Sequence, residues 1–184
     1  MVPTLSPKDG VFEDPKGVAG ASDGNVYVTD RENHRTQKIT SEGVFVSKWG
    51  TSGTGDGQFY QPNGVAVASD GSVYVADARN HRIQKFTSAG VLVSQWGTRG
   101  TGDGKFSYPR GIAVSSDGSV YVADTGNGRI QKFTSEGEFV SKWGTEGTGD
   151  GEFDEPRGVA VASDGSVYVA DTVNHRIQKF SVEQ

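Results

Sequence analysis

An all-β fold of the β-propeller class is what this sequence predicts, and three observations support the prediction. One motif recurs at a constant step of 47 residues, which makes Phe12, Phe59, Phe106 and Phe153 equivalent. Glycine is abundant, at 27 of 184 residues, and no stretch longer than about ten residues carries a helical apolar period free of Gly or Pro. Each repeat contains four short strand-like segments. Four strands per period of roughly 40 to 50 residues are typical of a propeller blade.

The repeat extends over nearly the whole chain. Residues 59–105 and 106–152 are identical at 33 of 47 positions without a gap. We therefore predict one domain over residues 1–184, with repeats at approximately 12–58, 59–105, 106–152 and 153–184, and four blades per chain. Repeats this similar are also expected of a recently amplified or a designed array.

The second repeat shows how the four antiparallel strands of a blade are assigned. "GVAVAS" (64–69) and "SVYVAD" (72–77) flank the pair Asp70-Gly71, which favours a tight hairpin turn. "RIQKFT" (82–87) and "VLVSQW" (91–96) complete the blade, and a glycine-rich segment crosses to the next. Ile83 and Phe86 are both apolar but do not alternate with a period of two, so either a bulge or burial on both sheet faces is required.

Composition and charge exclude several classes of function. The net charge is −5 and the pI about 5.2, whereas a nucleic-acid surface usually needs a basic face. The absence of cysteine rules out disulfides and thiolate zinc sites. The sequence has no signal-peptide-like segment and no apolar run near the roughly 18 residues of a membrane span. We expect a soluble protein without a cofactor, and the compartment is left open.

One segment, "VADARNHRIQKF" at 75–86, resembles a catalytic site because Asp77, His81 and Arg82 lie close together. The same segment recurs in all four repeats, whereas catalysis needs an asymmetric set of groups around one substrate. We interpret it as structural. Asp77 is expected to accept backbone hydrogen bonds in its own turn, Asn80 to adopt the left-handed conformation, and Arg82 to pair with an aspartate. Gly128 replaces His81 in the third repeat, so the position does not require an imidazole.

The glycine-rich crossings, such as "GTGDGQF" at 53–59, lack the features of a ligand-binding loop. No Lys-Ser/Thr follows them, as a phosphate-binding loop requires, and each offers one carboxylate where calcium needs several oxygen ligands. No metal site is predicted, and convergence of Asp56, Asp103 and Asp150 around the channel is kept as an alternative. Trp49, Trp96 and Trp143 are expected to cover the core between blades.

Differences between the repeats are concentrated on one face of the predicted propeller. We call it the variable face: the turns between the second and third strands of each blade, together with the crossings between blades. Loops on a rigid scaffold commonly carry function, although these positions are equally expected to vary if they are merely tolerant surface. The predicted ligand-binding residues are Tyr60, Arg79, Arg99, Lys105, Tyr108 and Arg110. Arg99, Lys105 and Arg110 are expected to form a basic cluster beside an acidic one at the next crossing, a split that steers partners.

The recurring pattern "F-x-x-P-x-G-V-A-V…D-G-x-V-Y-V-A-D…N-H-R-I-Q-K-F…G-x-x-V-x-x-W-G" resembles the NHL repeat over residues 11 to 180. Thr36 in place of Ile and Gly128 in place of His are local departures. The resemblance implies a propeller, usually of six blades, whose broad face binds protein, peptide or, in some relatives, single-stranded RNA. Some similar propellers are lyases or hydrolases.

Four repeats leave the closure of the ring open. Two chains can complete eight blades as a homodimer, one chain can close a four-bladed ring, or the sequence is a fragment; we favour the dimer. The segment "MVPTLSPKD" (1–9) is a candidate fourth strand for the last blade. We expect a non-enzymatic scaffold or interaction module that self-assembles and binds a protein or peptide on its variable face. A propeller enzyme and a single-stranded RNA binder are the alternatives.

Overall fold

The computed structural model describes residues 8–181, and these form β-strands in four antiparallel sheets. The first three sheets have four strands each and the fourth has three, always in chain order. The strands are β1 Pro15–Gly20, β2 Val26–Asp30, β3 Arg35–Ile39, β4 Phe45–Trp49, β5 Pro62–Val67, β6 Val73–Asp77, β7 Arg82–Phe86, β8 Leu92–Trp96, β9 Pro109–Val114, β10 Val120–Asp124, β11 Arg129–Phe133, β12 Phe139–Trp143, β13 Pro156–Val161, β14 Ser166–Asp171 and β15 Arg176–Ser181. The predicted all-β, four-bladed propeller architecture is confirmed.

Short turns replace helices throughout the described chain. The helical segments are single 3-10 turns at Ala78–Asn80 and Thr125–Asn127. In the hairpin of the second sheet the Ser72 N–H donates to the Asp70 carboxylate at 2.8 Å, and Gly71 adopts a φ of 84°. This left-handed angle explains the Asp-Gly pair of the repeat. No helix within residues 8–181 is both long and apolar enough to cross a membrane.

The sheets pack face to face in chain order, through two kinds of face. The leading face of each sheet contacts the trailing face of the next. In the second sheet the leading face carries Tyr74, Ile83 and Trp96, which pack against the third sheet, and the trailing face carries Val75 and Phe86, which pack against the first. Ile83 and Phe86 are both fully buried and pair with β6 in regular register, so burial on both faces explains their spacing. The pairing with β8 is irregular between Lys85 and Phe86.

The tryptophans occupy the predicted positions between blades. Trp49 of the first sheet contacts Phe86 of the second, with ring centroids 5.7 Å apart, and Trp96 contacts Phe133 of the third at 5.8 Å. Gly90 packs on Trp49 so closely that a Cβ there would lie 2.7 Å from the indole ring. Each tryptophan therefore covers core that belongs to the next sheet.

The two ends of the array remain uncovered, so the described chain is an open arc. The innermost strands β1, β5, β9 and β13 pack on one another in sequence, but β13 and β1 share no comparable contact. Val18 on the trailing face of the first sheet is 69% exposed and Ile177 on the leading face of the fourth is 66% exposed. Their equivalents Val65 and Ile83 are 6% and 0% exposed.

The proposed N-terminal strand falls mostly outside the described residues, which begin at Lys8. Residues 8–10 lie against the first sheet: the Gly10 N–H donates to the Gln37 side chain at 3.0 Å, and Asp9 pairs with Lys48 at 2.5 Å. They therefore occupy the place that the glycine-rich crossings take in the later sheets.

Candidate functional site

The buried aspartate of each repeat organises the crossing that precedes its sheet. Asp77 is fully buried and accepts hydrogen bonds from the Tyr60 N–H at 2.8 Å, the Asn80 amide at 2.9 Å, Arg82 Nε at 2.8 Å and the Gln84 amide at 3.1 Å. The predicted pairing of Arg82 with an aspartate is confirmed. The expectation that Asp77 caps its own turn is wrong, because its backbone partner lies 17 residues upstream.

The left-handed residue of this turn is His81, not Asn80 as predicted. His81 has a φ of 54°, and its equivalents His34, Gly128 and His175 have values between 52° and 60°. Asn80 lies in the 3-10 turn and its amide bridges Asp77 to the Gly53 carbonyl at 2.9 Å. The left-handed backbone explains why glycine can replace histidine at position 128, since glycine adopts this conformation without strain.

The histidines serve the backbone of the next crossing. Nδ1 of His81 accepts from the Tyr108 N–H at 3.1 Å, and Nδ1 of His34 accepts from the Gln61 N–H at 3.0 Å. Burial, followed by the positive charge of Arg99, lowers the pKa of His81. A neutral imidazole suits this role, because an acceptor nitrogen must be unprotonated.

The aspartates of the glycine-rich crossings lie at the outer edge of the sheets, so their convergence around the channel is wrong. Asp56 accepts from Gln95 of the outermost strand β8 at 2.7 Å, and Asp103 pairs with Lys142 of β12 at 2.5 Å. Asp150 is fully exposed, 4.0 Å from Arg176. Within residues 8–181, no group of three or more His, Asp or Glu side chains is arranged to hold a metal ion.

Two exposed tyrosines stand on the variable face. Tyr60 is 42% exposed, contacts His34 with ring centroids 5.4 Å apart and carries the Arg79 guanidinium 5.6 Å over its ring. Tyr108 is 40% exposed and contacts His81 at 4.6 Å. Each ring contacts one histidine, and each tyrosine remains partly exposed on this face.

A cavity of about 510 Å³ opens where the innermost strands converge on the variable face. Its lining includes five cationic side chains drawn from all four sheets. Three of them occupy the position between proline and glycine of the innermost strands, where the second sheet has Asn63. The cations are Lys16, Arg31, Arg79, Arg110 and Arg157.

Three of these cations have acidic partners. Asp14 lies 2.7 Å from both Lys16 and Arg31, and Glu155 lies 2.5 Å from Arg157. The cations therefore outnumber the carboxylates that contact them.

Arg110 differs from its neighbours in charge balance. Among the described residues, neither a hydrogen-bond acceptor nor a carboxylate contacts its guanidinium, although the side chain is half buried. Burial, followed by the positive charge of Arg157, lowers the pKa of Arg110. An anion in the cavity would oppose this lowering of the pKa, since an opposite charge nearby favours the ionised form.

The predicted ligand-binding residues separate into two groups. Arg79, Tyr108 and Arg110 line the cavity, and Tyr60 lies beneath Arg79. Lys105 instead folds over its own crossing, where a Cβ on Gly100 would lie 2.8 Å from its Cδ. The backbone of Arg99 forms an isolated parallel β-bridge with that of Phe106 on the same crossing. Neither residue is part of the cavity lining, so the expected basic trio is not brought together there.

The sequence reasoning missed Lys16, Arg31 and Arg157. A signal was present: the position between proline and glycine reads Lys, Asn, Arg and Arg in the four repeats. This position was selected only in the third repeat, as Arg110, although it directly precedes the predicted first strand of every repeat. Arg31 lies elsewhere, in the turn after the second strand.

The residue before each of these prolines has left-handed backbone. Asp14, Gln61, Tyr108 and Glu155 have φ angles between 48° and 53°. Such angles are uncommon outside glycine, and for a bulky side chain such as that of Tyr108 they carry strain. Four different side chains hold this position and none is glycine, so the position displays variable chemistry on a constant backbone.

Comparison with family profiles gives a match to the NHL repeat in all four units, at residues 12–39, 59–86, 106–133 and 153–180. The chain belongs to the NHL repeat family. Each matched segment extends from the phenylalanine before a sheet to the end of its third strand. A search of curated proteins gave no match.

Solved structures share the fold of this NHL repeat chain at low identity. A streptogramin B lyase structure is 16% identical with a TM-score of 0.69, covering 97% of this chain and 57% of that one. A chain of a nidogen/laminin complex is 18% identical with a TM-score of 0.69, covering 90% and 60%. A Bacteroides thetaiotaomicron protein of unknown function is 18% identical with a TM-score of 0.72, covering 92% and 47%. The present chain thus spans 47 to 60% of these structures, and the likeness concerns the fold alone.

Proposed function

We propose that this protein is a non-enzymatic NHL-repeat interaction module that pairs with a second copy of itself and presents its variable face to a protein or peptide. One observation carries the proposal: the two uncovered end faces are the two halves of an interface that the chain already forms three times. Each leading face contacts a trailing face between sheets one and two, two and three, and three and four.

The side chains of the end faces match those of the internal interfaces. The leading face of the fourth sheet carries Tyr168 and Ile177, equivalent to the buried Tyr74 and Ile83. The trailing face of the first sheet carries Val18, equivalent to the buried Val65. Exposed apolar faces at the ends of an array are normally capped. A second copy supplies the matching cap for each.

The backbone of the innermost strands supports the same proposed pairing. A Cβ on Gly17 would lie 2.5 Å from the Asn63 carbonyl oxygen, and one on Gly64 would lie 2.3 Å from that of Arg110. Glycine at this position therefore allows two backbones to touch. Gly158 retains the glycine but meets only the Ala170 Cβ of its own sheet, at 3.2 Å. A second chain would place Lys16 against it.

Such a contact is head to tail, and two copies joined by it at both ends form a closed eight-bladed ring with two-fold symmetry. Light scattering on a sizing column, at several concentrations, tests this. The expected mass is about twice 19.5 kDa. A monomer at all concentrations would refute self-association, whereas a ladder of larger species would mean that the head-to-tail contact forms without closing.

Ile177→Asp tests whether association uses this end face rather than nonspecific hydrophobic contacts. The residue is exposed in the single chain, so the fold should tolerate the change, but each ring would bury two aspartates. Losing about 2 kcal/mol of apolar burial at each of two interfaces weakens the dimer roughly a thousandfold. Val93→Asp is the matched control, because Val93 is 55% exposed on an outermost strand. It should leave the mass unchanged.

The positions of the histidines support the non-enzymatic part of the proposal. His34 and His81 use a ring nitrogen to hold the backbone of the next crossing. His175 lies in the same repeated turn. A general base must instead be within reach of the proton that it abstracts.

A further inference from the structure

The cavity of the variable face is an incomplete electrostatic site. Arg110 is half buried, and no carboxylate or hydrogen-bond acceptor among the described residues contacts its guanidinium directly; the carboxylate of Glu155 acts on it only at longer range and is itself paired with Arg157. Arg157, Arg31 and Lys16 share the cavity. Guanidinium groups bind carboxylates through paired, charge-assisted hydrogen bonds. The missing component is therefore an anion.

The size and rim of the cavity limit the kind of anion. A volume of about 510 Å³ is that of a small-ligand pocket and admits one or two side chains. Asp14 and Glu155 contact lining cations at 2.5 to 2.7 Å, and Glu32 lies 3.6 Å from Arg31. Because these carboxylates neutralise some of the lining cations, few remain for an extended nucleic-acid backbone, whose affinity depends on many phosphate contacts.

The surroundings of the cavity suit a peptide. Tyr108 is part of the lining, and Tyr60 lies beneath the lining residue Arg79. Amphipathic rings of this kind are enriched where proteins bind proteins. Gln61 and Asn63 add amide groups that can bond to a peptide backbone.

We propose that the cavity binds the carboxylate side chains of an acidic peptide segment, with Arg110 and Arg157 as the principal ligands. This deepens the binding half of the proposed function and does not depend on the self-association half, because every lining residue comes from one chain. Failure of peptide binding and failure of dimerisation are therefore read from separate experiments.

Fluorescence anisotropy tests the proposal with a fluorescein-labelled hexaglutamate peptide at low salt. Hexaglutamine and single-stranded hexauridylate RNA, labelled in the same way, are the comparison probes, and citrate is the competitor for a free polycarboxylate. We expect saturable binding of hexaglutamate alone among the labelled probes. Three results would each overturn the proposal: tighter binding of the RNA than of hexaglutamate, equal binding of hexaglutamine and hexaglutamate, or displacement of labelled hexaglutamate by citrate at lower concentrations than unlabelled hexaglutamate requires.

The repeats themselves provide variants that the fold accepts. Arg110→Asn introduces the residue that the second sheet has at this position, and we expect at least about tenfold weaker hexaglutamate binding, because a charge-assisted pair is lost. Asn63→Arg completes the set of cations and should tighten binding severalfold. An unchanged affinity in both variants would refute the site.

The matched control is the double variant Arg99→Asn, Lys105→Asn. It removes two positive charges from the same face but outside the cavity, and binding should change less than about twofold. A loss as large as that of the double variant Arg110→Asn, Arg157→Asn would show that the general field of the face, not the cavity, attracts the peptide. Equal thermal melting curves establish that all variants are folded.

Discussion

Gly64→Ala gives a direct test of how closely the sheets approach each other. The added Cβ would lie 2.3 Å from the Arg110 carbonyl oxygen and 3.1 Å from the Ile112 backbone nitrogen. Both are backbone atoms and cannot rotate away, so the second and third sheets must separate by roughly 1 Å to restore van der Waals contact. The buried contacts of Tyr74 and Phe106 would loosen with them. Overpacking of this kind costs typically 1 to 3 kcal/mol, and we expect about 3 kcal/mol because no side chain can yield.

Urea denaturation followed by tryptophan fluorescence measures this change, since Trp96 covers the interface concerned. Gly20→Ala is the control, because no atom lies within 4 Å of its Cβ; replacing a strand glycine should there be neutral or stabilising by up to about 1 kcal/mol. Gly158→Ala should cost little in the monomeric Ile177→Asp background. Equal free energies of unfolding for Gly64→Ala and Gly20→Ala would refute the close approach.

Three further changes test the interior and the turns. Asp124→Ala leaves the buried Arg129 without its carboxylate partner at 2.7 Å and should lower the free energy of unfolding in urea by about 3 to 5 kcal/mol; a loss below 1 kcal/mol would contradict the network. Thr36→Ile should raise the free energy of unfolding by about 1 kcal/mol, because the buried Thr36 hydroxyl has no hydrogen-bond partner within residues 8–181. The later sheets have isoleucine at this position, and a destabilised variant would contradict the prediction. Hydrogen bonds lower the pKa of the four hairpin aspartates below 3.8; backbone N–H groups are the main donors in three turns and a serine hydroxyl is in the third. The stabilisation that these ionised aspartates give the fold is therefore present above about pH 4 and is lost as the pH falls through their pKa values in the folded state. Replacing all four aspartates (Asp23, Asp70, Asp117 and Asp164) with Asn should flatten the dependence of the unfolding free energy on pH between 5 and 2. An unaltered curve would exclude these turns as the source of the pH dependence.

The sequence predicted the strands and hairpins well because their signals are local. Asp70-Gly71 and the segments around it specify a turn and two strands without reference to the rest of the chain. The repeat also identified the tryptophans as core, because a residue that recurs in every unit serves what every unit shares.

Contacts between distant residues were the part that sequence reasoning could not supply. Asp77 was assigned to its own turn, but its backbone partner is Tyr60, brought close only by the crossing. Asn80 was given the left-handed conformation on its propensity alone, and hydrogen bonding to Asp77 and Gly53 overrides that preference. In the cavity, Arg110 was predicted but Arg157 was not, because their proximity depends on how neighbouring strands converge.

The hydrogen bonds that hold each crossing have a consequence for folding during synthesis. The crossing before the second sheet is held by that sheet: Arg82 donates to the Gly55 and Gln58 carbonyls, at 2.8 and 2.9 Å, and Asp77 accepts from Tyr60. These buried contacts of the crossing are therefore complete once the third strand of its sheet has emerged from the ribosome. The fourth strand adds only an exposed contact, from Gln95 to Asp56, and the trailing face of the new sheet meets a neighbour that already exists. The arc can thus assemble vectorially, one sheet at a time, with a single apolar face waiting at the growing end.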